Sequence, residues 1–434
     1  MILAPTDAVD VQRELAAMRA EVAAIRTRMQ DGWLDELRAE QVRGVVRDAL
    51  ADSATRASFL ESEWTAGYAG AAGGGAYVRA ADGSASIHLT AATQVRFVAA
   101  SAYGPDVRGF PVRNTRWGME NKTVLVALSG NLYDRSITYL AAVGYTSQSN
   151  RFIVIPDQFR LVYASLRKDI GDGWAVSVGL QNVPWDIEST YIGSARMPVG
   201  DYSIFNYRFG AGKQAGVAAG WTGEWFRAGG GVFNQIDSAT LQWNGVTNLS
   251  FAVAGRAEAK WGIEWDQLAG MSGTPGSAPG VVLGLGLCMS NGRAQNPQPP
   301  AVPLATPSAQ GFTADARVLL GGTVLLAQYA YMRDPVGGPE LGWYQGINLQ
   351  ASGFVANDVE AFAEACWMGD VPVEWIAQAG VNLYLPGPHA KLTVKAVVPF
   401  GGGNVNGIRS IAGGLGIAAS ENNASFVTQL QVRF

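Results

Sequence analysis

The sequence predicts an all-β fold: an antiparallel transmembrane β-barrel of about sixteen strands, preceded by a short α-helical coiled-coil segment. Three observations predict it: a chain end that alternates apolar and polar residues, the same period of two through most of the chain, and few charges. Charged residues make up 16% of the sequence, whereas soluble domains have roughly 25%. The 54 glycines among 434 residues exceed the usual share of about 7%. Something other than water is therefore expected to cover much of the surface.

The chain ends on a stretch, residues 426–434 (FVTQLQVRF), whose apolar and polar side chains alternate. Successive side chains of a β-strand point to opposite faces, so this strand has one mainly apolar and one mainly polar face. The final strand of an outer-membrane barrel closes the sheet with its apolar face in lipid. We therefore predict that the apolar positions form a membrane-assembly signal. These positions are Phe426, Leu430, Val432 and Phe434.

The period of two recurs from residue 76 onward. It is clearest in residues 87–99, 251–260, 375–385 and 392–398, and a shorter example covers residues 205–209. Strands of soluble proteins average about five or six residues, whereas crossing a bilayer at a tilt takes about 9 to 11. No apolar run reaches the roughly 18 residues that a membrane helix needs, so a barrel is favoured over a helical bundle. Tryptophans near predicted strand ends fit interface girdles, although any β protein can carry them in strands.

Residues 1–63 differ from the rest in charge and in period. They contain 12 acidic and 8 basic residues, and their apolar positions alternate steps of four and three, as in a heptad seam. The seam positions predicted to mediate oligomerisation are Val11, Leu15, Met18, Val22, Ile25 and Met29. An oligomerising coiled coil and a small helical plug or hairpin both fit this pattern. Residues 64–75 are predicted to be a flexible Gly/Ala linker, and residues 76–434 the barrel.

Two segments rich in Gly and Pro flank one predicted strand. Residues 291–311 hold five prolines and cannot form a central strand. Residues 270–280 are rich in Gly, Pro and Ser. Loops at the two ends of one strand leave opposite ends of a barrel, which conflicts with the rule that turns on one side are short. One of the two segments is therefore expected to fold back into the pore.

The sequence offers little for catalysis or metal binding. It has two histidines and two cysteines, and neither His88 nor His389 belongs to a recognisable catalytic arrangement. We predict no enzyme activity, no catalytic residue, no metal and no cofactor. Cys288 and Cys366 are predicted to be unpaired wall residues, with a disulfide between them left open. The first ten residues show no signal peptide, so the numbered chain is expected to be trimmed or to start too late.

Three blocks, residues 76–97, 175–220 and 379–398, resemble in this order the phosphate-selective porin O and P family. The residues that match the family's Pro-aromatic-x-x-Glu segment are Pro184, Trp185 and Glu188. The chain departs from the family by lacking a basic residue just before Glu188. The resemblance implies an outer-membrane porin that passes small ions and hydrophilic solutes by passive diffusion, with an anion or phosphate preference. It also implies a homotrimer.

The polar parity of the predicted strands supplies the candidate pore-lining residues. These are His88, Gln94, Arg96, Arg208, Arg256, Glu258, Lys260, Glu360, Glu364, Lys391, Lys395 and Arg433. Residues 184–202 are the candidate constriction loop, through Asp186, Glu188, Arg196 and Asp201. Residues 64–434 hold 24 bases and 24 acids, so selectivity is expected to be local. For each charge the alternative is a salt-bridged or merely solvated wall residue.

The predicted partners are outer-membrane lipid, further copies of the chain, and small ions and hydrophilic solutes, with no nucleic acid. A structural role remains as an alternative. In that interpretation the coiled coil contacts the cell wall through residues 1–63, and the barrel tethers the outer membrane to it.

Overall fold

The computed structural model describes residues 64–69, 75–105, 111–146, 159–191, 196–234, 251–268, 270–273, 275–291, 308–334, 342–369, 375–385, 390–400 and 424–434. The predicted helical segment of residues 1–63, with its heptad seam, lies outside these residues, as does His389. Residues 66–79 and 83–434 form one compact unit, which contains the barrel. In the part of the chain that the structure describes, no helix is long and apolar enough to cross a membrane.

Within the described residues, sixteen strands form the barrel, and two short strands precede them. The short strands are β1 (Trp64–Tyr68) and β2 (Ala76–Ala80). The barrel strands are β3 (Ser86–Pro105), β4 (Pro111–Leu132), β5 (Asp134–Thr146), β6 (Phe159–Gly171), β7 (Trp174–Asn182), β8 (Lys213–Thr222), β9 (Phe226–Phe233), β10 (Phe251–Trp261), β11 (Gly280–Asn291), β12 (Ser308–Leu319), β13 (Thr323–Asp334), β14 (Gly342–Ala356), β15 (Val359–Met368), β16 (Trp375–Tyr384), β17 (Ala390–Phe400) and β18 (Ser425–Arg433). Helices α1 (Ile187–Tyr191) and α2 (Ile204–Phe209) lie between β7 and β8, and a 3₁₀ turn (Asp266–Leu268) lies between β10 and β11.

The last strand closes the barrel. Each barrel strand from β3 to β17 pairs with the next one along the chain, and β18 pairs antiparallel with β3. In that register Phe426 lies opposite Ala99, and Gln431 lies opposite Gln94. The amide of Phe434 donates to the carbonyl of Ala91 at 2.8 Å, which extends the ladder to the end of the chain. The predicted fold class, a closed antiparallel barrel of about sixteen strands, is therefore confirmed.

The two faces of the sheet have different chemistry. In β18, Phe426 is 47% exposed and Leu430 is 41% exposed, whereas Gln429 between them is 2% exposed. In β11, Leu283, Leu285 and Leu287 are exposed in the same alternating way. The apolar parity therefore forms the outer face, and the polar parity turns toward the interior. Large exposed tryptophans are Trp117, Trp174, Trp225, Trp261 and Trp375.

Short turns alternate with longer connections around the barrel. At one end β4 and β5 are separated by one residue, Tyr133, and β12 is separated from β13 by residues 320–322. At the other end the connections include residues 235–250 and 401–424. The described residues of two connections run into the interior of the barrel. We call residues 183–212, between β7 and β8, the inward loop, and residues 262–279, between β10 and β11, the short-end insert.

Two predicted segments differ from the structure. Residues 205–209 were predicted as a strand from their period of two, and this is wrong because they form most of helix α2. Five residues are too few to distinguish the two periods, and Ser203 caps the helix by accepting a hydrogen bond from the amide of Asn206. The wall position that strand parity gave to Arg208 is therefore wrong. In addition, β1 lies within the range predicted as a flexible linker.

Candidate functional site

The inward loop is packed inside the barrel. Its apolar side chains are almost completely buried: Val183, Trp185, Ile187, Met197, Val199, Ile204, Phe205, Phe209 and Ala211. The indole Nε1 of Trp185 donates to the carbonyl of Phe209 at 2.8 Å, which ties the beginning of the loop to its end. The hydroxyl of Thr313 in β12 donates to the carbonyl of Trp185 at 2.9 Å. The apolar side chains of the loop therefore pack in three clusters that include wall residues, and hydrogen bonds attach the loop to the wall.

Wall side chains donate to a run of consecutive loop carbonyls, those of residues 197–200. The contacts are Lys391 Nζ to Met197 O at 2.9 Å, Asn382 Nδ2 to Pro198 O at 2.8 Å, Lys395 Nζ to Val199 O at 2.8 Å, and Gln429 Nε2 to Gly200 O at 2.6 Å. A second donor to Gly200 O is Gln94 Nε2, at 3.3 Å. Gly200 has a φ of +79°, a conformation that L side chains rarely adopt. This run fixes the loop backbone to strands β3, β16, β17 and β18.

Next to this run, the carboxylate of Asp201 meets the wall's basic side chains. Lys122 Nζ lies 3.1 Å from Asp201 Oδ2, and an Arg96 guanidinium nitrogen lies 3.8 Å from it. Arg96 also pairs with Glu120 of the neighbouring strand. A loop carboxylate and two wall cations therefore meet at one point on the interior surface.

Asp186 and Glu188 serve the folding of the loop itself. Asp186 Oδ1 accepts from the amide of Ser189 at 2.9 Å, at the start of α1, and from Asn206 Nδ2 at 2.6 Å. Glu188 accepts from the amide of Ser203 at 2.9 Å and from its hydroxyl at 2.5 Å. Both carboxylates therefore join α1 to the start of α2.

Burial gives these loop groups shifted acidities. It raises the pKa of Asp186, although the hydrogen bonds from Ser189 and Asn206 oppose the shift. The pKa of Glu188 is raised well above its ordinary value by burial and by the nearby Glu364 carboxylate. Burial also raises the pKa of Tyr202 to about 12. The proton is therefore favoured on Glu188 at pH values where an exposed glutamate is ionised.

On the opposite part of the wall, Arg256 anchors the loop through a buried ion-pair network. Its guanidinium nitrogens lie 2.7 Å and 2.8 Å from the two carboxylate oxygens of Asp315, and 2.6 Å from Glu258. The same guanidinium also donates to the carbonyl of Trp185 at 3.5 Å. Gly286 makes this approach possible, because a Cβ there would lie 2.0 Å from the Trp185 carbonyl oxygen.

The short-end insert also enters the interior. Its residues Ile263, Leu268 and Met271 are buried. Arg317 of β12 donates to the carbonyl of Gly270 at 2.9 Å and to that of Leu268 at 3.3 Å. Of the two Gly- and Pro-rich segments that conflict with the short-turn rule, this is one that folds back.

Most predicted pore-lining residues lie on the buried parity of their strands. These are Gln94, Arg96, Arg256, Glu258, Lys260, Glu360, Glu364, Lys391 and Lys395. His88 and Arg433 are only partly buried, and the His88 ring lies 6.0 Å from that of Tyr77. Arg208 lies in α2, and its side chain is outside the described part of the structure. That these side chains line a pore stays a prediction.

Three charged interior residues were not predicted from the sequence: Lys122, Asp315 and Arg317. Asn382 and Gln429, which strand parity placed on the polar face, are also buried in the interior. The same parity rule would have found Asp315 and Arg317, because they alternate with Ala314, Ala316 and Val318. Cys288 and Cys366 are both buried in the wall, and no disulfide joins them.

No protein-family model matches the sequence. No curated protein matches it either. Solved structures do match. The anion-selective porin of Comamonas acidovorans is similar with a TM-score of 0.52 and 13% identity, over 81% of this chain and 100% of that one. Salmonella typhi OmpF, in its complex with daunomycin, is similar with a TM-score of 0.51 and 10% identity, over 81% and 99% of the chains.

A third similar structure is a loop-deletion mutant of OmpT, an outer-membrane protein of Vibrio cholerae. It has a TM-score of 0.51 and 11% identity, and the match covers 81% of this chain and 100% of that one. Identities this low show a shared fold and nothing finer. The barrel therefore has the fold of outer-membrane porins, and the resemblance to the phosphate-selective O and P family stays a prediction.

Proposed function

We propose that this protein is an outer-membrane porin that passes small ions and hydrophilic solutes by passive diffusion. Its apolar outer face suits lipid, because a closed barrel satisfies its backbone hydrogen bonds without water. Its interior parity carries charged and amide side chains, as a water-filled passage requires. The similar fold of the Comamonas porin supports the same conclusion.

The observation that carries this proposal is the attachment of the inward loop. The carbonyls of residues 197–200 accept hydrogen bonds from four different strands of the wall. A barrel that only anchored residues 1–63 would gain nothing from holding a loop at fixed depth in its interior. A diffusion channel gains a defined cross-section from it, since pore diameter and lining groups decide what passes.

The charges on one part of the wall support a local anion preference. Basic side chains predominate on the interior faces of β3, β4 and β17. They are Arg96, Lys122, Lys391 and Lys395. Their acidic neighbours are Glu120 and Asp201 and, on β15, Glu360 near Lys391 and Glu364 near Lys395. We therefore propose a modest preference for anions, phosphate included, located where the loop meets these strands.

We further propose that the protein lies in the outer membrane as a homotrimer. The exposed apolar band, with Phe426, Leu430, Val432 and Phe434 in the closing strand, would provide the lipid contact and the membrane-assembly signal. Under this proposal residues 1–63 oligomerise alongside the barrel or contact the cell wall. The alternative is a barrel whose main role is to tether the outer membrane to the cell wall. It predicts that the folded protein does not conduct ions.

The test is to reconstitute the purified, folded protein in a planar lipid bilayer. We expect discrete single-channel steps in potassium chloride. In a salt gradient the reversal potential should indicate a modest anion preference. Protein that is folded by circular dichroism and inserts into liposomes, yet produces no steps, would contradict the porin proposal and favour the tether.

A further inference from the structure

We propose that the passage has two size-determining elements that enter from opposite ends of the barrel: the inward loop and the short-end insert. This inference rests on the proposed porin function and deepens it. It concerns residues 262–279, which lie at the end where the other connections are short turns. Four observations support it: one direct contact between the elements, one wall arginine that contacts both of them, and two sets of hydrogen bonds between the wall and the insert.

The first contact joins the two elements directly. The amide of Met271 in the insert donates to the carbonyl of Arg196 in the loop at 3.3 Å. Around this bond the two elements share an apolar cluster with the wall. Its members are Ile187, Met197, Val199, Met271, Leu326 and Phe362, with Tyr191 packed against it. The two elements therefore meet inside the barrel and bury apolar surface against each other.

Arg227, on strand β9, stacks against one aromatic ring of each element. The Arg227 guanidinium carbon lies 3.6 Å from the ring centroid of Tyr191, which belongs to the loop. It lies 4.3 Å from the ring centroid of Trp265, which belongs to the insert. Arg227 also pairs with Glu258 at 2.5 Å. One wall cation therefore contacts an aromatic ring from each element, and cation–π attraction favours both contacts.

Hydrogen bonds attach the insert to the wall near its beginning. Lys260 Nζ donates to the carbonyl of Ile263 at 2.7 Å, and Trp265 Nε1 donates to the carbonyl of Gly223 at 2.8 Å.

In the middle of the insert, the Arg317 guanidinium donates hydrogen bonds to the carbonyls of Leu268 and Gly270. The hydroxyl of Ser352 in β14 donates to the carbonyl of Met271 at 3.4 Å. With its carbonyls fixed to the wall in this way, the insert occupies a constant volume of the interior.

The sharpest test shortens the insert. Replacing residues 264–277 by Asn-Gly, a sequence suited to a tight hairpin turn, removes Met271 and Trp265 and leaves the inward loop intact. Because the narrowest cross-section limits ion flow, we expect single-channel conductance to rise about twofold. Met271→Ala should raise it by a smaller factor. The matched control is Met289→Ala in β11, since Met289 is 45% exposed on the outer face and Met271 is 1% exposed.

A second measurement shows at which end of the barrel the insert narrows the passage. Polyethylene glycols of graded size are added to one side of the bilayer, and the largest polymer that still enters the channel is recorded. Shortening the insert should raise this size limit for polymers entering from the short-turn end. It should change the limit much less from the other end, where the inward loop still narrows the passage. A general loosening of the barrel would raise both limits together.

The outcomes separate the two proposals. If wild-type protein conducts but the shortened variant has the same conductance and size limits, the insert is not size-determining and the porin proposal stands. If folded wild-type protein does not conduct, the porin proposal itself fails. If the shortened variant does not fold, Met271→Ala decides: a rise in conductance above Met289→Ala supports the inference, and equal values overturn it.

Discussion

The inward loop and the short-end insert enter the same barrel but are held by different means. The described residues of the loop include two short helices, and its apolar side chains pack against the wall in separate clusters that contain Trp185 and Phe209. Its fastenings come from strands distant in the sequence, among them β3, β12, β17 and β18. The fastenings of the insert come mainly from Lys260 just before it and Arg317 in the second strand after it.

This difference shows what each element needs in order to form. The insert's contacts with the wall come from the turn before β9 and from β9 to β16, whose neighbouring strands are also close in sequence. The loop requires the closed barrel, because Gln429 and Gln94 come together only when β18 pairs with β3. Strand pairs that are distant in sequence carry a larger loop-closure entropy and form late. We therefore expect the insert to be ordered earlier in assembly and the loop to be ordered last.

The largest effect in this comparison is expected from Trp185→Ala. Trp185 is fully buried and donates to Phe209 O, so truncation leaves a cavity and an acceptor without its donor. Losses of buried aromatic side chains are typically about 3–5 kcal/mol. Trp265→Ala, in the insert, should lower the stability less because Trp265 is only partly buried.

Thermal unfolding in detergent, followed by circular dichroism, measures both variants. Trp225→Ala controls for loss of an exposed tryptophan, since Trp225 is 62% exposed. If Trp185→Ala and Trp265→Ala lower the unfolding temperature equally, the tryptophan of the loop contributes no more packing energy than the tryptophan of the insert.

A smaller effect is expected from Lys395→Met, which removes one fastening of the loop. Val199 O and Gln378 Oε1 would both lose the ammonium donor, at 2.8 Å in each case. Leaving buried acceptors without a donor costs about 1–3 kcal/mol. In the insert, Lys260→Met should cost less, because only one buried acceptor, Ile263 O, loses its donor, while the other partner, Glu264, is largely exposed and is hydrated instead.

The unfolding temperature and the current noise of the open channel are measured for both variants. Lys395→Met should lower the unfolding temperature and raise the current noise. Lys168→Met is the control at an exposed lysine. Noise that rises only in Lys260→Met would assign the flexible element to the insert instead.

Sequence reasoning succeeded where a local period determines the structure, and failed where closure or capping does. The alternation of Phe426, Gln429 and Leu430 predicted the two faces of β18 because strand geometry imposes it on each residue separately. The contact between Lys395 and Val199 could not be predicted in this way. It joins residues far apart in the sequence, and barrel closure brings them together.

Helix α2 was missed for a related reason. Its period is visible over only a few residues, whereas its start depends on Ser203 and on the distant Glu188. That the charges of residues 184–202 act at a constriction stays a prediction. The structure adds that Asp186 and Glu188 accept hydrogen bonds inside the loop and that Asp201 pairs with the wall.

The smallest effect, and the one most specific to the loop, concerns pH. Because the folded protein holds a proton on Glu188 more tightly than the unfolded chain does, the folded state binds more protons above the ordinary glutamate pKa of about 4.3. The stability that this group contributes is therefore present at low pH and is lost as pH rises from that value through the folded pKa. The slope cannot exceed about 1.4 kcal/mol per pH unit for one proton.

Glu188→Gln removes the titrating group and should flatten the stability profile as the pH rises above the ordinary glutamate pKa of about 4.3. The amide keeps one oxygen as an acceptor for Ser203, so the variant should be stable enough to compare. Unfolding temperatures measured across that range provide the test, with Glu264→Gln as the control, since that side chain is 77% exposed. An unchanged slope in Glu188→Gln would show that Glu188 is already ionised in the folded loop, and that α1 and α2 are joined through a charged carboxylate.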